Sequence, residues 1–300
     1  MNKRNDFICI GAVHSDYILK LKQGYFKNRT NPINHQENLG GVAYNIARIL
    51  SFLNQNTKLY SLNLNNIQKK EVRSHGIKFE SLNKKILQRY YTSVLDKKGQ
   101  MIFGLANMDS YENLIDYKFN KKYKNKKIIL DLNLSIVLIK NIIDTNTKDN
   151  YICVCGTSAH KIYKIKKLLN KIDTIILNKQ ESFALTNKNK IKDAMNYLIK
   201  KNKNLNIIIT NGKNAVNAYI NTIKYLAYPP MTKIKNENGA GDSFSAIFNY
   251  FFCYSLRELK SLKKGICGGS LQAAGYLDSK EKYLQKIDKL SKSIRFKVIK

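Results

Sequence analysis

Short apolar runs alternate with longer amphipathic stretches along the chain. Residues 7–13, "FICIGAV", form an unbroken apolar run bounded by polar residues, as in a strand buried on both faces. After Gly40-Gly41 the period changes. Val42, Ile46, Ile49, Leu50 and Leu53 fall on one side of a helix. "TKLYSL" again reads as a strand. From "KKIILDLNL" onward, strands are predicted near 127–133, 151–155, 173–177 and 205–210. Helices are predicted near 158–170, 190–202, 242–256 and 258–276, and the lysine-rich tail as a solvated helix or strand. This alternation predicts a three-layer α/β fold, a mostly parallel sheet flanked by helices.

Two segments depart from that rhythm. Residues 14–38 show loose alternation with turn signals at Gly24 and Asn31-Pro32, and residues 87–106 contain two strand-like runs joined by a turn at Asp96–Gly99. Both would leave the main sheet, which predicts a small β-lid folded from two insertions. The division expected is 1–13, 39–86 and 107–300 for the α/β body, and 14–38 with 87–106 for the lid. Lids of this kind close over a substrate and exclude water.

Composition narrows the classes. Hydrophobic residues make up 43% of 300, enough for a large core, and no apolar run is long enough to span a bilayer. The N-terminus, "MNKRNDFICIGAV", imitates a signal peptide, but its apolar part is short and lacks a small-residue cleavage site, so a first buried strand is expected. Five cysteines without a C-x-x-C suit a reduced cytoplasm, and the four histidines show no zinc spacing. The net charge of +32 is nearly all lysine spread along the chain, with seven arginines. Base readout favours arginine and clustered basic faces, so neither nucleic acid nor membrane is expected as a partner. The field would still attract anionic nucleotides.

The candidate chemistry sits in five short stretches. In "NENGAGDSF", Gly239, Ala240 and Gly241 precede Asp242 at the mouth of an apolar helix. Backbone N–H groups there could form an anion hole for a phosphoryl group, with Asp242 accepting a proton from an attacking hydroxyl. The plainer alternative is a helix cap after a glycine turn. In "NLGGVAYNIA", Gly40 and Gly41 open a helix where a ligand oxygen could meet free N–H groups, and Asn45 could bind paired hydroxyls. Alternatively this is only a turn before a core helix. Asp16 lies just past the first strand, where ligands of open α/β sheets bind, or is an ordinary loop acid. Asn178 and Glu181 end a buried strand and could hold magnesium through water, a role compatible with a capping box. Thr210 and Gly212, in "IIITNGK", could meet a nucleotide phosphate or simply turn between strands. No P-loop pattern occurs, and Phe244 replaces the third glycine of a dinucleotide fingerprint.

The order of these stretches resembles the ribokinase-like, PfkB-type carbohydrate kinases over nearly the whole chain. "NPINHQENLGGVAYNIARIL" and "YYTSVLDKKGQMIFGLANMDSYENL" are most similar to pseudouridine kinases. The resemblance implies an ATP- and Mg2+-dependent kinase acting on the 5′-hydroxyl of a ribosyl compound, pseudouridine first. Alternatives are a ribose, fructose or adenosine kinase of the same family, or a sugar- or nucleotide-binding protein without catalysis. It implies Asp242 as base, Gly239, Ala240 and Gly241 as the anion hole, and Asp16, Gly40, Gly41 and Asn45 as sugar contacts. Asn178, Thr210 and Gly212 would line the nucleotide site and Glu181 would organise the metal. Adenine contacts would lie in about 265–276. The lid, which often pairs two subunits in such kinases, is where a homodimer would form. Departures include a shortened segment after "LYSL" and Cys155-Gly156 where those kinases tend to show Asp-Pro before a Ser-x-x-Lys, here Ser158 and Lys161. Asn236-Glu237-Asn238 also precedes the anion hole, where relatives often carry an acid and a threonine.

Overall fold

The computed structural model describes residues 6–114, 117–254 and 257–299. The basic residues 1–5 of the leader-like start and the last residues, 255–256, of the helix expected over 242–256 lie outside them.

Two sheets organise the molecule. The larger has ten strands in the order β14-β13-β12-β11-β10-β9-β8-β1-β4-β5. Its parallel part comprises β1 (Asp6–Ile10), β4 (Asn56–Asn63), β5 (Lys78–Ile86), β8 (Lys127–Asp131), β9 (Tyr151–Cys155), β10 (Thr174–Asn178) and β11 (Asn206–Thr210). β12 (Val216–Ile220), β13 (Ile223–Ala227) and β14 (Phe296–Ile299) add an antiparallel edge. Side chains of β1 alternate between two cores: Phe7 and Cys9 enter one, Ile8 and Ile10 the other. On the first face pack α1 (Val42–Phe52), α7 (Ala240–Phe252), α8 (Glu258–Ala273) and α9 (Lys280–Ser293); on the second, α4 (Ile136–Asn146) and α6 (Ile191–Lys201). Among the described residues, no helix is long and apolar enough to cross a membrane.

The second sheet has four strands in the order β3-β2-β6-β7: β2 (His14–Leu21), β3 (Ile33–Gly40), β6 (Tyr90–Leu95) and β7 (Met101–Asn107). β6 and β7 form the expected hairpin, closed by Asp96 N–H to Gln100 O at 2.8 Å. β2 joins the two halves, antiparallel to β3 and parallel to β6. The small sheet is moored at Val13. Arg89 Nε donates to Val13 O at 2.7 Å, and its Nη2 donates to Leu62 O and Asn63 O at 3.0 and 3.1 Å. Tyr111 Oη donates to Val13 O at 2.7 Å, and Val13 N–H donates to the same hydroxyl at 2.7 Å.

One expected helix is absent. Residues 158–170 form only 3₁₀ turns at Ile162–Ile165 and Leu169–Lys171. Lys164 causes much of this: its ammonium is drawn inward to Glu112 Oε1 at 2.5 Å and to Leu132 O and Leu134 O at 3.1 and 2.8 Å. The tighter turn presents Ile162, Lys164 and Ile165 to the interior together.

Candidate functional site

β3 ends at Gly40, and Gly41 turns the chain into α1 at φ 115°. A Cβ on Gly41 would lie 2.2 Å from Ala12 O. Only glycine fits there, because the turn needs both a positive φ and that close approach. A Cβ on Gly40 would strike Asp16 Oδ2 at 2.0 Å, so the glycine makes room for the carboxylate. His14 Nε2 sits 2.8 Å from Asp16 Oδ1. His14 and Asp16 share one face of β2 with Gly40 and Asn38, their partners on β3.

Two first-turn amides of α1 have partners within the protein. Ala43 N–H donates to Asp131 Oδ2 at 3.1 Å, and Tyr44 N–H reaches Ala12 O at 3.4 Å. Asp131 is the organising residue that the sequence reading missed. Its buried carboxylate also accepts from Ala12 N–H at 2.8 Å and Asn133 N–H at 2.9 Å, tying β1, β8 and α1 together. The available signal was an acid directly after "KIIL", at the same strand end as the other candidates.

Asp242, the third residue of α7, lies across from Asn45, whose Nδ2 donates to Asp242 Oδ2 at 2.7 Å. The early and late motifs, 197 positions apart, thus meet through one hydrogen bond. Burial pushes the Asp242 carboxyl up to about 6; the Asn45 bond pulls it down, Asp131 and Asp16 push it further up, and Arg48 opposes them. Gly239, at φ 74°, supplies the left-handed turn before α7 and brings no capping side chain. Ala240 N–H is taken by Glu237 O at 3.1 Å. That leaves the amides of Gly241 and Asp242, which have no carbonyl partner within a helix. Space is open in front of Gly241: a Cβ there would meet nothing within 4 Å.

Asn178 caps α5 (Lys179–Thr186). Its side chain accepts from Glu181 N–H at 2.9 Å, while Glu181 Oε2 accepts from Asn178 N–H at 2.8 Å. Glu181 is 3% exposed. Its carboxyl is raised by burial, lowered by the Asn178 N–H and raised again by Asp242, so the two acids share one electrostatic neighbourhood. A Cβ on Gly156 would lie 2.1 Å from Glu181 Oε2, so the glycine that departs from the expected Asp-Pro makes room for this acid. Thr210 is paired in register with Asn178 and directs its hydroxyl to Leu177 O at 3.3 Å. Gly212 follows in an exposed turn at φ 56°. Lys161 Nζ donates to Asn133 Oδ1 at 2.8 Å; burial and the nearby Lys164 lower its pKa, while Asp131, Glu112 and Asp109 oppose that shift. His14 Nδ1 and Thr157 Oγ1 are among the polar atoms of these segments that are buried without a partner among the described residues.

The glycines of 265–269 allow a close helix contact. A Cβ on Gly268 would lie 2.6 Å from Ile247 Cγ1, one on Gly265 3.0 Å from Phe248 Cβ, and one on Gly269 3.0 Å from Ala240 O. They seat α8 against α7. From that expected adenine-contact segment, Gln272 approaches the turn, its Nε2 donating to Asn238 O at 3.4 Å. A cleft of about 630 Å³ lies elsewhere, between the lid and α2 (Asn66–Ser74), and Asp242, Asn45 and the paired glycines do not line it.

The arrangement can bind an anion at the start of α7 beside a carboxylate able to take a proton. It offers carboxylate and amide acceptors under the lid and a row of strand ends carrying Asp131, Asn178 and Thr210. Among the described residues, no three His, Cys, Asp or Glu side chains cluster as metal ligands.

Residues 4–265 match the family described as pfkB family carbohydrate kinase. A pseudouridine-metabolizing bifunctional protein of Schizosaccharomyces pombe is 30% identical over 197 residues; the match covers 60% of this chain and about a quarter (26%) of that protein's length. Among solved structures, a carbohydrate kinase from Agrobacterium tumefaciens superposes with a TM-score of 0.77 at 20% identity, covering 98% of this chain and 100% of that one. A nucleoside kinase from Methanocaldococcus jannaschii, an archaeal member of the ribokinase family, gives 0.76 at 18%, covering 96% and 99%.

Proposed function

The chain belongs to the pfkB family of carbohydrate kinases, and from that premise we propose that it transfers the γ-phosphoryl group of ATP to the 5′-hydroxyl of a ribosyl compound, pseudouridine first. The observation that carries this reading is the Asn45–Asp242 bond, which sets a carboxyl of raised pKa beside open helix-terminal amides and near Asp16. The pseudouridine assignment is supported by the partial likeness to the fission-yeast protein.

Asp16, Gly40, Gly41 and Asn45 would hold the ribose. The acceptor oxygen attacks phosphorus in line as the bond to the β,γ-bridging oxygen breaks, and ADP leaves. Asp242 takes the hydroxyl proton. With a pKa near 6 it is ionised at neutral pH yet a better base than an ordinary aspartate. The Gly241 and Asp242 amides would face the charge that grows on the transferring group, with Gly239 and Ala240 shaping the turn. Asn178, Thr210 and Gly212, at adjoining strand ends, would line the triphosphate. Mg2+ keeps most of its waters and takes few carboxylates, so Glu181, whose ionisation burial opposes, suits a water-mediated contact; the ion would neutralise phosphate charge. The lid, residues 14–38 and 87–106, would exclude water from the transfer. Exposed Met101, Phe103 and Leu105 on its edge strand support a homodimer through the lid, readable by sedimentation at several protein concentrations.

An ADP-release screen over pseudouridine, common nucleosides and free pentoses tests the reading. Release with pseudouridine well above the other acceptors supports it; release with none of them rejects it.

A further inference from the structure

The face of the lid that carries Asp16 holds an aromatic ring that the mechanism leaves unused. Tyr91 on β6 is in register with Asp16 on β2, so their side chains leave the sheet on the same side. Its β7 neighbours on that side are small: Ala106 directly opposite and Gly104 next along. A Cβ on Gly104 would lie 2.3 Å from Tyr91 Oη and 2.9 Å from Cζ. The ring therefore lies down across β7 in the space a side chain at 104 would fill. Its hydroxyl reaches Met101 Sδ at 3.6 Å, and Ser93, on the same face, is 3% exposed. Tyr90 points the other way and packs edge-on against Tyr17 at 5.8 Å. Tyr91 has no aromatic partner among the described residues and remains half-buried. A ring lying along a sheet, one strand from a sugar-binding carboxylate, presents its π-face to whatever the lid covers.

We infer that Tyr91, seated by Gly104, is the platform on which the planar base of a nucleoside acceptor stacks while Asp16 holds its ribose. The inference rests on the nucleoside reading above and narrows it: free pentoses have no group for this surface. Stacking on an aromatic side chain tolerates any base, so Tyr91 sets the preference for nucleosides over pentoses rather than the choice of base.

The chain contains no tryptophan, so Tyr91→Trp installs a single indole. Its fluorescence is expected to be quenched on titration with pseudouridine and left unchanged by ribose. By calorimetry, Tyr91→Ala should weaken pseudouridine binding about ten- to hundred-fold, the range of one base–aromatic stack, with ATP binding unaltered. Tyr91→Phe should restore affinity to within about twofold. Gly104→Val, which evicts the ring from its seat, should reproduce the Tyr91→Ala loss. Unchanged pseudouridine affinity in both Tyr91→Ala and Gly104→Val, or no response of the indole at saturating pseudouridine, would overturn the inference. These readouts report binding, so they remain separate from the ADP-release screen, whose failure would instead remove the proposed reaction.

Discussion

At the scale of single residues, Asp242 is a carboxyl the fold holds against its preference. Its pKa of about 6 in the folded chain exceeds the ordinary value of 3.8, so the native state binds the proton more tightly than the unfolded one. Stability from this group is therefore present at low pH and lost as pH rises from about 4 to about 6. The loss is at most about 3 kcal/mol, reduced by the residue's partial solvent contact. Asp242→Asn should then melt at or above the wild-type temperature at pH 7.5, with the difference vanishing below about pH 4; a lower melting temperature at pH 7.5 would contradict this. Asn45 acts in the opposite sense, because its amide stabilises the ionised carboxyl. Asn45→Ala should move the acid limb of kcat/KM to higher pH and lower its plateau ~10- to 100-fold, measured across pH 5–9. An unmoved limb would separate Asn45 from the base.

Among elements, the start of α7 is held by α8, and two glycines play separable parts. Gly268 is filled from the other side by Ile247, so Gly268→Val should cost roughly 1–3 kcal/mol by forcing the helices apart. Gly241 faces open space, so Gly241→Ala should leave the melting temperature nearly unchanged while turnover falls, because the new methyl would enter the region proposed for the transferring group. Equal loss of stability in both would refute the division. Much of this architecture was readable from the pattern of apolar runs: β1, β8–β11, α1, α6, α7, α8 and the lid hairpin stand where periodicity placed them. Where local signals conflict, the sequence was less informative. α4 carries a mixed signal: "IVLIKNII" is rich in β-branched residues, although Leu138, Ile139, Ile142 and Ile143 bury at helical spacing. At 158–170 a long-range ion pair outweighed helical spacing. β12 and β13 hid in a stretch whose Asn-rich turns obscured the alternation. The individual candidates can be named from glycine and acid positions; that Asn45 and Asp242 meet follows from the family resemblance rather than from periodicity. Asp131 escaped notice because its work, three backbone N–H bonds, is visible only once β1, β8 and α1 assemble.

For the whole molecule, the proposed function implies that charge would act on one ligand more than on the other. A field of +32 draws in a polyanionic nucleotide and is indifferent to a neutral nucleoside. The KM for ATP should therefore rise several-fold between low and physiological ionic strength, while the KM for pseudouridine stays nearly constant. Parallel salt dependence of both would show that the field does not steer the donor. The lid is moored through Arg89 and Tyr111 to Val13, which lies between β1 and β2, the strand that carries Asp16. The account's central claim is that the carboxyl at the head of α7 receives the acceptor's proton as phosphoryl transfers. Single-turnover transfer from γ-labelled ATP to pseudouridine, at saturating concentrations of both, tests it most directly. Wild type should form labelled nucleotide product, and Asp242→Asn should be slower by at least about a thousandfold with ATP affinity preserved. Transfer by the Asn variant at the wild-type rate would contradict the claim.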